Sequence, residues 1–433
     1  MPVFLSTDDS DFEARFSALL GAKREEAPDV DDAVRGIIAD VRTRGDEALI
    51  ALSAKFDRVA LSPETLRIGE DEIADAVGRV PAEERAALDL AAERIGAYHA
   101  RQMPEDKSWT EKTGAVLGWR WSPVAAAGIY VPGGLASYPS SVLMNALPAK
   151  VAGVKRLAMV VPTPGGEINP LVLYAAHKAG VDEIYRIGGA QAIAALAYGT
   201  ETVAPVDVIT GPGNAYVAAA KRQVFGKVGI DMIAGPSEVV VIADGSADPD
   251  WIAIDLLAQA EHDPSAQSIL ITPDRNLGRA VAEAVALRLE TLPRRDIAGA
   301  SWRDHGAVIN VRDLGEAAAL SDRMAPEHLE LAVENPEALF ANIAHAGAVF
   351  LGTWTPEAIG DYVGGPNHVL PTARTARFAS GLSVMDFLKR TTLAQMTPEA
   401  LNAIGPAAVT LANSESLGAH GLSVAARLER LNR

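Results

Sequence analysis

Four histidines in this chain have a carboxylate or an amide nearby in sequence: His262 in "QAEHDP", His328 in "PEHLEL", His368 in "GPNHVLPT" and His420 in "SLGAH". Imidazole is the side chain that titrates nearest neutral pH and is a common metal ligand. Gln259 and His262 are three apart at the end of an apolar run, so on a helix they share a face. An amide oxygen and an imidazole nitrogen could then hold one cation. For the pair alone, an ordinary helix C-terminus closed by Pro264 is the plainer reading. Glu327 and His328 stand side by side at the entrance of a strand-like run, an acid/base pair by type. A solvated strand end is the plainer reading. Asp361 lies in "GTWTPEAIGDYVGGPNHVLPT", where glycines allow backbone to approach a ligand or simply make turns. Glu415 and His420 occur in "ANSESLGAH", which alone is a solvated helix end. The other histidines, His99, His177, His305 and His345, read as ordinary positions, with His99 on a helix surface.

The chain has no cysteine, so disulfides, thiolate metal sites and a cysteine nucleophile are excluded. Any metal must take nitrogen and oxygen donors. A formal net charge of −17 argues against a general nucleic-acid binder, which needs clustered cations. "MPVFLSTDDSDFEARF" puts acids where a signal peptide needs a basic lead. No apolar run approaches a membrane span. A cytoplasmic protein is expected, with neither nucleic acid nor membrane as partner.

The elements that must position these residues are α/β in type. Residues 1–120 read as mainly helical, packing with the second lobe. Val34, Ile37, Ile38 and Val41 recur at helical spacing. From 121 to 235 strands alternate with helices: "RLAMVVPTP", "NPLVLYAAHKAG", "VDEIYRIGG", "AQAIAALAYG", "PVDVIT". A second series over 236–380 offers the strands "EVVVIAD", "QSILIT", "GAVINV", "HLELAV" and "GAVFLG". The rhythm predicts two Rossmann-like, incompletely doubly wound lobes. Residues 381–433 read as a helical tail too short for its own core, forming a dimer contact or packing on a lobe.

Glycine turns end three segments of the first lobe: "GIYVPGG", "RIGGAQAI" and "GPGNAY". Turns of this kind present backbone N–H groups at helix N-termini, which suits a phosphate. "GPGNAY" is a degenerate dinucleotide fingerprint, and Asp231 lies 20 residues after Gly211, near where a ribose-binding acid would stand. Asp231 could equally cap a turn.

Together, "GIYVPGG", "YPSSVLMNALPAKVAGV", "GGAQAIAALAYGTETV", "GPGNAYVAAAKR", "GIDMIAGPSEVVVIAD", "AQAEHDPSAQSILIT", "APEHLEL", "GDYVGGPNHVLPT" and "GLSVMDFLKR" resemble the histidinol dehydrogenase family, in its order, from about 120 to 420. The resemblance implies oxidation of L-histidinol to L-histidine through L-histidinaldehyde with two NAD. It implies zinc held by Gln259, His262, Asp361 and His420, and acid/base work by Glu327 and His328. It puts Ser237 and Glu415 on the substrate, with His328 and the zinc ligands, and Tyr130, Gln191 and Asn214 on NAD. It also implies an intertwined homodimer in which the tail enters the partner's site. A related zinc- and NAD-dependent dehydrogenase of another alcohol, such as a sulfonated diol, is the alternative. The tail departs from the family at Ser416, where glycine is usual.

Overall fold

The computed structural model describes residues 2–21, 28–133, 138–233 and 235–431. Gly134, the last residue of the first glycine turn, and Ala234 of "GIDMIAG" lie outside them. The strands in chain order are β1 (Val3–Ser6), β2 (Lys107–Thr110), β3 (Val116–Pro123), β4 (Ala126–Tyr130), β5 (Arg156–Val160), β6 (Glu183–Tyr185), β7 (Val208–Thr210), β8 (Gly229–Ile230), β9 (Glu238–Ala243), β10 (Gln267–Thr272), β11 (Ala307–Asn310), β12 (His328–Ala332), β13 (Ala348–Leu351) and β14 (Leu388–Gln395).

Two parallel sheets carry the α/β lobes, in the orders β6-β5-β4-β7-β8 and β1-β11-β10-β9-β12-β13. Strands β4, β9 and β12 are buried along their whole length, as central strands of a covered parallel sheet must be. This is why they read as near-continuous apolar runs rather than as alternating ones. Both lobes belong to one compact unit, Met1–Arg101 with Ala125–Phe387.

The N-terminal region divides between the lobes instead of packing on the second. β1 pairs in parallel with β11, and Phe12 and Phe16 join one face of the second lobe's core. The helix Pro28–Arg44, however, buries Val34, Ile38 and Val41 in the first lobe's core, beside Ile193 and Ala197. Each such aliphatic side chain gains about 1.5–3 kcal/mol by leaving water. The expected attachment of the whole region to the second lobe is corrected on this point. The periodicity marked the apolar stripe, but nothing local to it named the surface that the stripe covers.

Gln102–Val124 and Leu388–Arg433 form a second unit. Here β14 pairs antiparallel with β3 from Leu388 opposite Pro123 to Gln395 opposite Val116, and β2 pairs with the other edge of β3. The tail is therefore not helical throughout, and the N-terminal region is not purely helical either. "KRTTLAQ" is almost wholly exposed, so it carries no apolar period to announce it. Its threonines favour the extended backbone all the same. The helices Pro398–Ser414 and Gly418–Leu431 then pack together, with Gly405 beneath Val424 and Leu428.

Candidate active site

In the first lobe the three turns meet at the C-terminal ends of the strands. β4 and β7 are neighbours from which the chain departs in opposite directions, the crevice where open α/β sheets take ligands. Gly211, directly after β7, has φ 115°, and a Cβ there would lie 2.1 Å from the Tyr130 carbonyl oxygen. Only glycine fits this approach. The Tyr130 hydroxyl accepts the Gly189 N–H at 3.1 Å, tying the first turn to the second. Gln191 is buried one turn into the Gly189–Tyr198 helix, and Asn214 caps the Ala215–Val224 helix by accepting from Tyr216 and Val217 N–H. Tyr130, Gln191 and Asn214 thus each stand at a strand-to-helix junction. Asp231 is engaged within the turn itself. It accepts the Gly211 N–H at 2.8 Å and forms a buried ion pair with Lys221, which also donates to the Gly211 carbonyl. Its role is to hold the third turn.

In the second lobe the polar residues meet at the opposite, N-terminal ends of the strands. Glu238 opens β9 and His328 opens β12. The Pro249–Ala260 helix runs back from β9, and its last turn delivers buried Gln259 to that end. His262 follows in the turn, its N–H bonded to the Gln259 carbonyl. Ala325, with φ 46°, ends the helix before Pro326 and turns the chain so that Glu327 and His328 enter β12. A non-glycine residue in this region is strained, a feature that gathers at functional sites.

The Gln259 amide lies 2.8 Å from Glu357 Oε1 and 2.7 Å from the Glu238 nitrogen; with its NH2 toward Glu357 it satisfies both. Glu327 Oε2 accepts the same Glu238 N–H at 2.9 Å and lies 3.8 Å from His328 Nδ1. His328 Nδ1 is 3.1 Å from the Glu238 carbonyl, which accepts no proton from a bare nitrogen, so Nδ1 bears the hydrogen. Nε2 is left as the basic atom, buried and without a hydrogen-bond partner among the described residues. His328, Glu357 and Asp361 can each bring a donor atom within 4.8 Å of the other two. His368 closes the wall: Nδ1 is 3.1 Å from the Asp361 carbonyl and Nε2 is 3.3 Å from Ser141 Oγ.

A family model for histidinol dehydrogenase matches residues 21–428. The chain belongs to the histidinol dehydrogenase family. It is an oxidoreductase of that family. It is 75% identical over 432 residues to the histidinol dehydrogenase of Ruegeria pomeroyi, and 74% identical over 432 residues to that of Cereibacter sphaeroides, each match covering 100% of both chains. A crystal structure of histidinol dehydrogenase from Elizabethkingia anophelis is 38% identical, with a TM-score of 0.95 over 100% of this chain and 99% of that one.

The donor set in this histidinol dehydrogenase-family chain is electrostatically unbalanced. Burial, then the charges of Asp361, Glu330, Glu327 and Asp255, pushes the Glu357 carboxyl well above the carboxylate range. Burial raises Asp361 to about 6. Behind them, burial and Asp255 raise Glu330, and burial raises Asp255 to about 6. The imidazoles shift the other way. Burial lowers His328 to about 3 and His368 to about 4, and the charge of His262 is felt at both. His262 keeps an exposed face, yet the protein around it still lowers its pKa. Neutral imidazoles beside oxygens short of a counter-charge suit a divalent cation, and the nitrogen and oxygen donors suit zinc.

Gln259, His262, Glu327, His328 and Asp361 therefore gather at one end of the second lobe, with Ser237 one residue before the backbone that holds His328. Glu415 and His420 lie in the separate tail unit, both exposed. Ser416 between them has φ 61°, the backbone that the family's usual glycine would adopt without strain. Two residues were misjudged from sequence. His99 is fully buried, 3.2 Å from Asn367 Nδ2, not on a helix surface. Glu357 carries no sequence signal beyond Pro356 at the start of its helix and Asp361 four residues later, on the same face.

Proposed function

We propose that the chain oxidises L-histidinol to L-histidine, through L-histidinaldehyde, using two NAD and zinc. Family membership and the named activity of its relatives support the substrate. The observation that carries the chemistry is His328, held as the tautomer whose buried Nε2 is a free base. Gln259, His262, Asp361 and His420 would hold zinc, with Ser237 and Glu415 on the substrate and Tyr130, Gln191 and Asn214 on NAD. Zinc, when bound, supplies a Lewis-acidic anchor for the nitrogens of an imidazole-bearing amino alcohol.

In the first step His328 Nε2 takes the hydroxyl proton while the carbinol hydrogen leaves as hydride to NAD. The product is the aldehyde. Glu327 then takes a proton from water as its oxygen adds to the aldehyde carbon, and His328 gives the proton it took in the first step to the former carbonyl oxygen, giving the hydrate. His328, having released its first proton, takes one from the hydrate as the second hydride leaves to a second NAD. The chain has no cysteine for a thiohemiacetal, so a hydrate is the route to the acid. A positioned base of this kind contributes roughly 10²–10⁴-fold.

The enzyme works as a homodimer, the tail carrying Glu415 and His420 into the partner's site. Support comes from the tail itself, which offers both side chains to solvent and makes a unit apart from the lobes. As the last step of histidine biosynthesis, the reaction belongs in the cytoplasm. Among the described residues no helix is long and apolar enough to cross a membrane. The test is NADH formed per L-histidinol consumed, before chelation, after it, and after zinc is restored. Two NADH, lost and regained with zinc, is expected. One NADH would stop the reaction at the aldehyde and remove the role given to Glu327.

A further inference from the structure

Glu357 has no part in the roles assigned above, yet it is among the most enclosed polar side chains of the second lobe, at 2% exposure. It opens the short helix Glu357–Tyr362, which also carries Asp361. Its own N–H is fixed by Glu330 Oε1 at 2.5 Å. Its Oε1 is 2.8 Å from the Gln259 amide and 3.7 Å from His328 Nδ1. Its Oε2 is buried and has no hydrogen-bond partner among the described residues. The groups whose charges act on it most strongly, Asp361, Glu330, Glu327 and Asp255, are all acids. A buried carboxylate with a free oxygen and acidic neighbours is unfavourable unless it binds a proton or faces a cation.

We propose that Glu357 is a positioning residue of the metal centre: its Oε1 accepts from the Gln259 amide and so fixes the orientation of that ligand. This rests on the metal reading above. The geometry distinguishes Glu357 from its neighbours. It touches the amide ligand directly, and it shares a helix face with Asp361. Glu330 and Asp255 lie behind it, and Glu330 reaches it only through its backbone. Residues that orient metal ligands change affinity by roughly 10–100-fold when replaced.

The experiment is a titration of chelator-treated, full-length protein with zinc alone, against a chromogenic competitor, with the thermal midpoint measured before zinc is added. Glu357→Gln keeps the shape and replaces the carboxylate that accepts from Gln259 with an amide. It is expected to weaken zinc binding at least about ten-fold, with a metal-free midpoint no lower than wild type. Glu357→Gln binding within two-fold of wild type would overturn the proposal, because a carboxylate acceptor on the Gln259 amide would then not matter to the metal. Should that variant fold poorly, Glu357→Asp keeps the charge and withdraws it by one methylene. An unchanged zinc affinity and an unchanged cobalt(II) visible spectrum in Glu357→Asp would overturn the proposal equally. Wild-type protein that bound no zinc would remove the metal reading itself. Wild-type binding beside an unaffected Glu357 variant would remove only the role of Glu357.

Discussion

The orders β6-β5-β4-β7-β8 and β11-β10-β9-β12-β13 are one arrangement used twice: a first strand, two neighbours added on one side, two on the other. The first lobe gathers its candidate NAD residues at the C-terminal ends of the strands, where helices begin. The second gathers its acid/base and metal-type residues at the N-terminal ends, where the Pro249–Ala260 helix finishes. Helix N-termini carry partial positive charge and exposed N–H groups, and helix C-termini carry partial negative charge. The first end therefore favours a pyrophosphate and the second a cation. One topology offers both, and the choice of end decides which ligand it suits.

The largest effect is expected at the second lobe's base. His328→Asn should lower kcat by roughly 10²–10⁴-fold, measured as initial rate of NADH formation. A loss smaller than ten-fold would give the base to another group. Next comes the frame of the first lobe. Lys221→Met leaves Asp231 buried without its partner, so chemical denaturation should show a loss of about 3–5 kcal/mol. It should also raise the KM for NAD, because the Gly211 carbonyl loses its Lys221 donor and Asp231, which accepts the Gly211 N–H, loses its ion pair. An unchanged KM would separate that turn from the cofactor.

Asp361 tests the cationic end by pH. Its pKa is raised to about 6 by burial, so in metal-free protein it stays protonated where the unfolded chain has already ionised. Its contribution to stability is complete below about pH 4 and lost as pH rises through about 6. Asp361→Asn should remove that loss and make chelator-treated protein more stable at pH 7 by roughly 3 kcal/mol. It should weaken zinc binding at the same time. Equal stability at pH 7 would mean that Asp361 is solvated. The smallest effect belongs to the tail, which neither lobe governs. Ser416→Gly should raise stability by about 1 kcal/mol by relieving the left-handed backbone. No change in the unfolding midpoint would show the turn already relaxed.

The strands of both lobes were legible because buried parallel strands are apolar almost without interruption. The glycine turns were legible because each marks a junction that only glycine can make. His262, His328 and Asp361 were visible as residue types with polar neighbours, but their meeting was not. They come from separate stretches of the chain, joined only by the fold. Which end of the second sheet they would occupy was also hidden, since the same sequence pattern suits either. His99 was misjudged because its partner, Asn367, is far away in sequence and pays no heed to helix periodicity. β14 was missed because an exposed strand has no apolar face to announce it.

The division of labour between the lobes is tested most directly by the dissociation constant of NADH, measured by fluorescence titration of the His328→Asn protein. The account predicts a value within two-fold of wild type, alongside the loss of turnover. A dissociation constant that rose in step with the loss of turnover would contradict it, because cofactor binding and proton transfer would then share one end of one lobe.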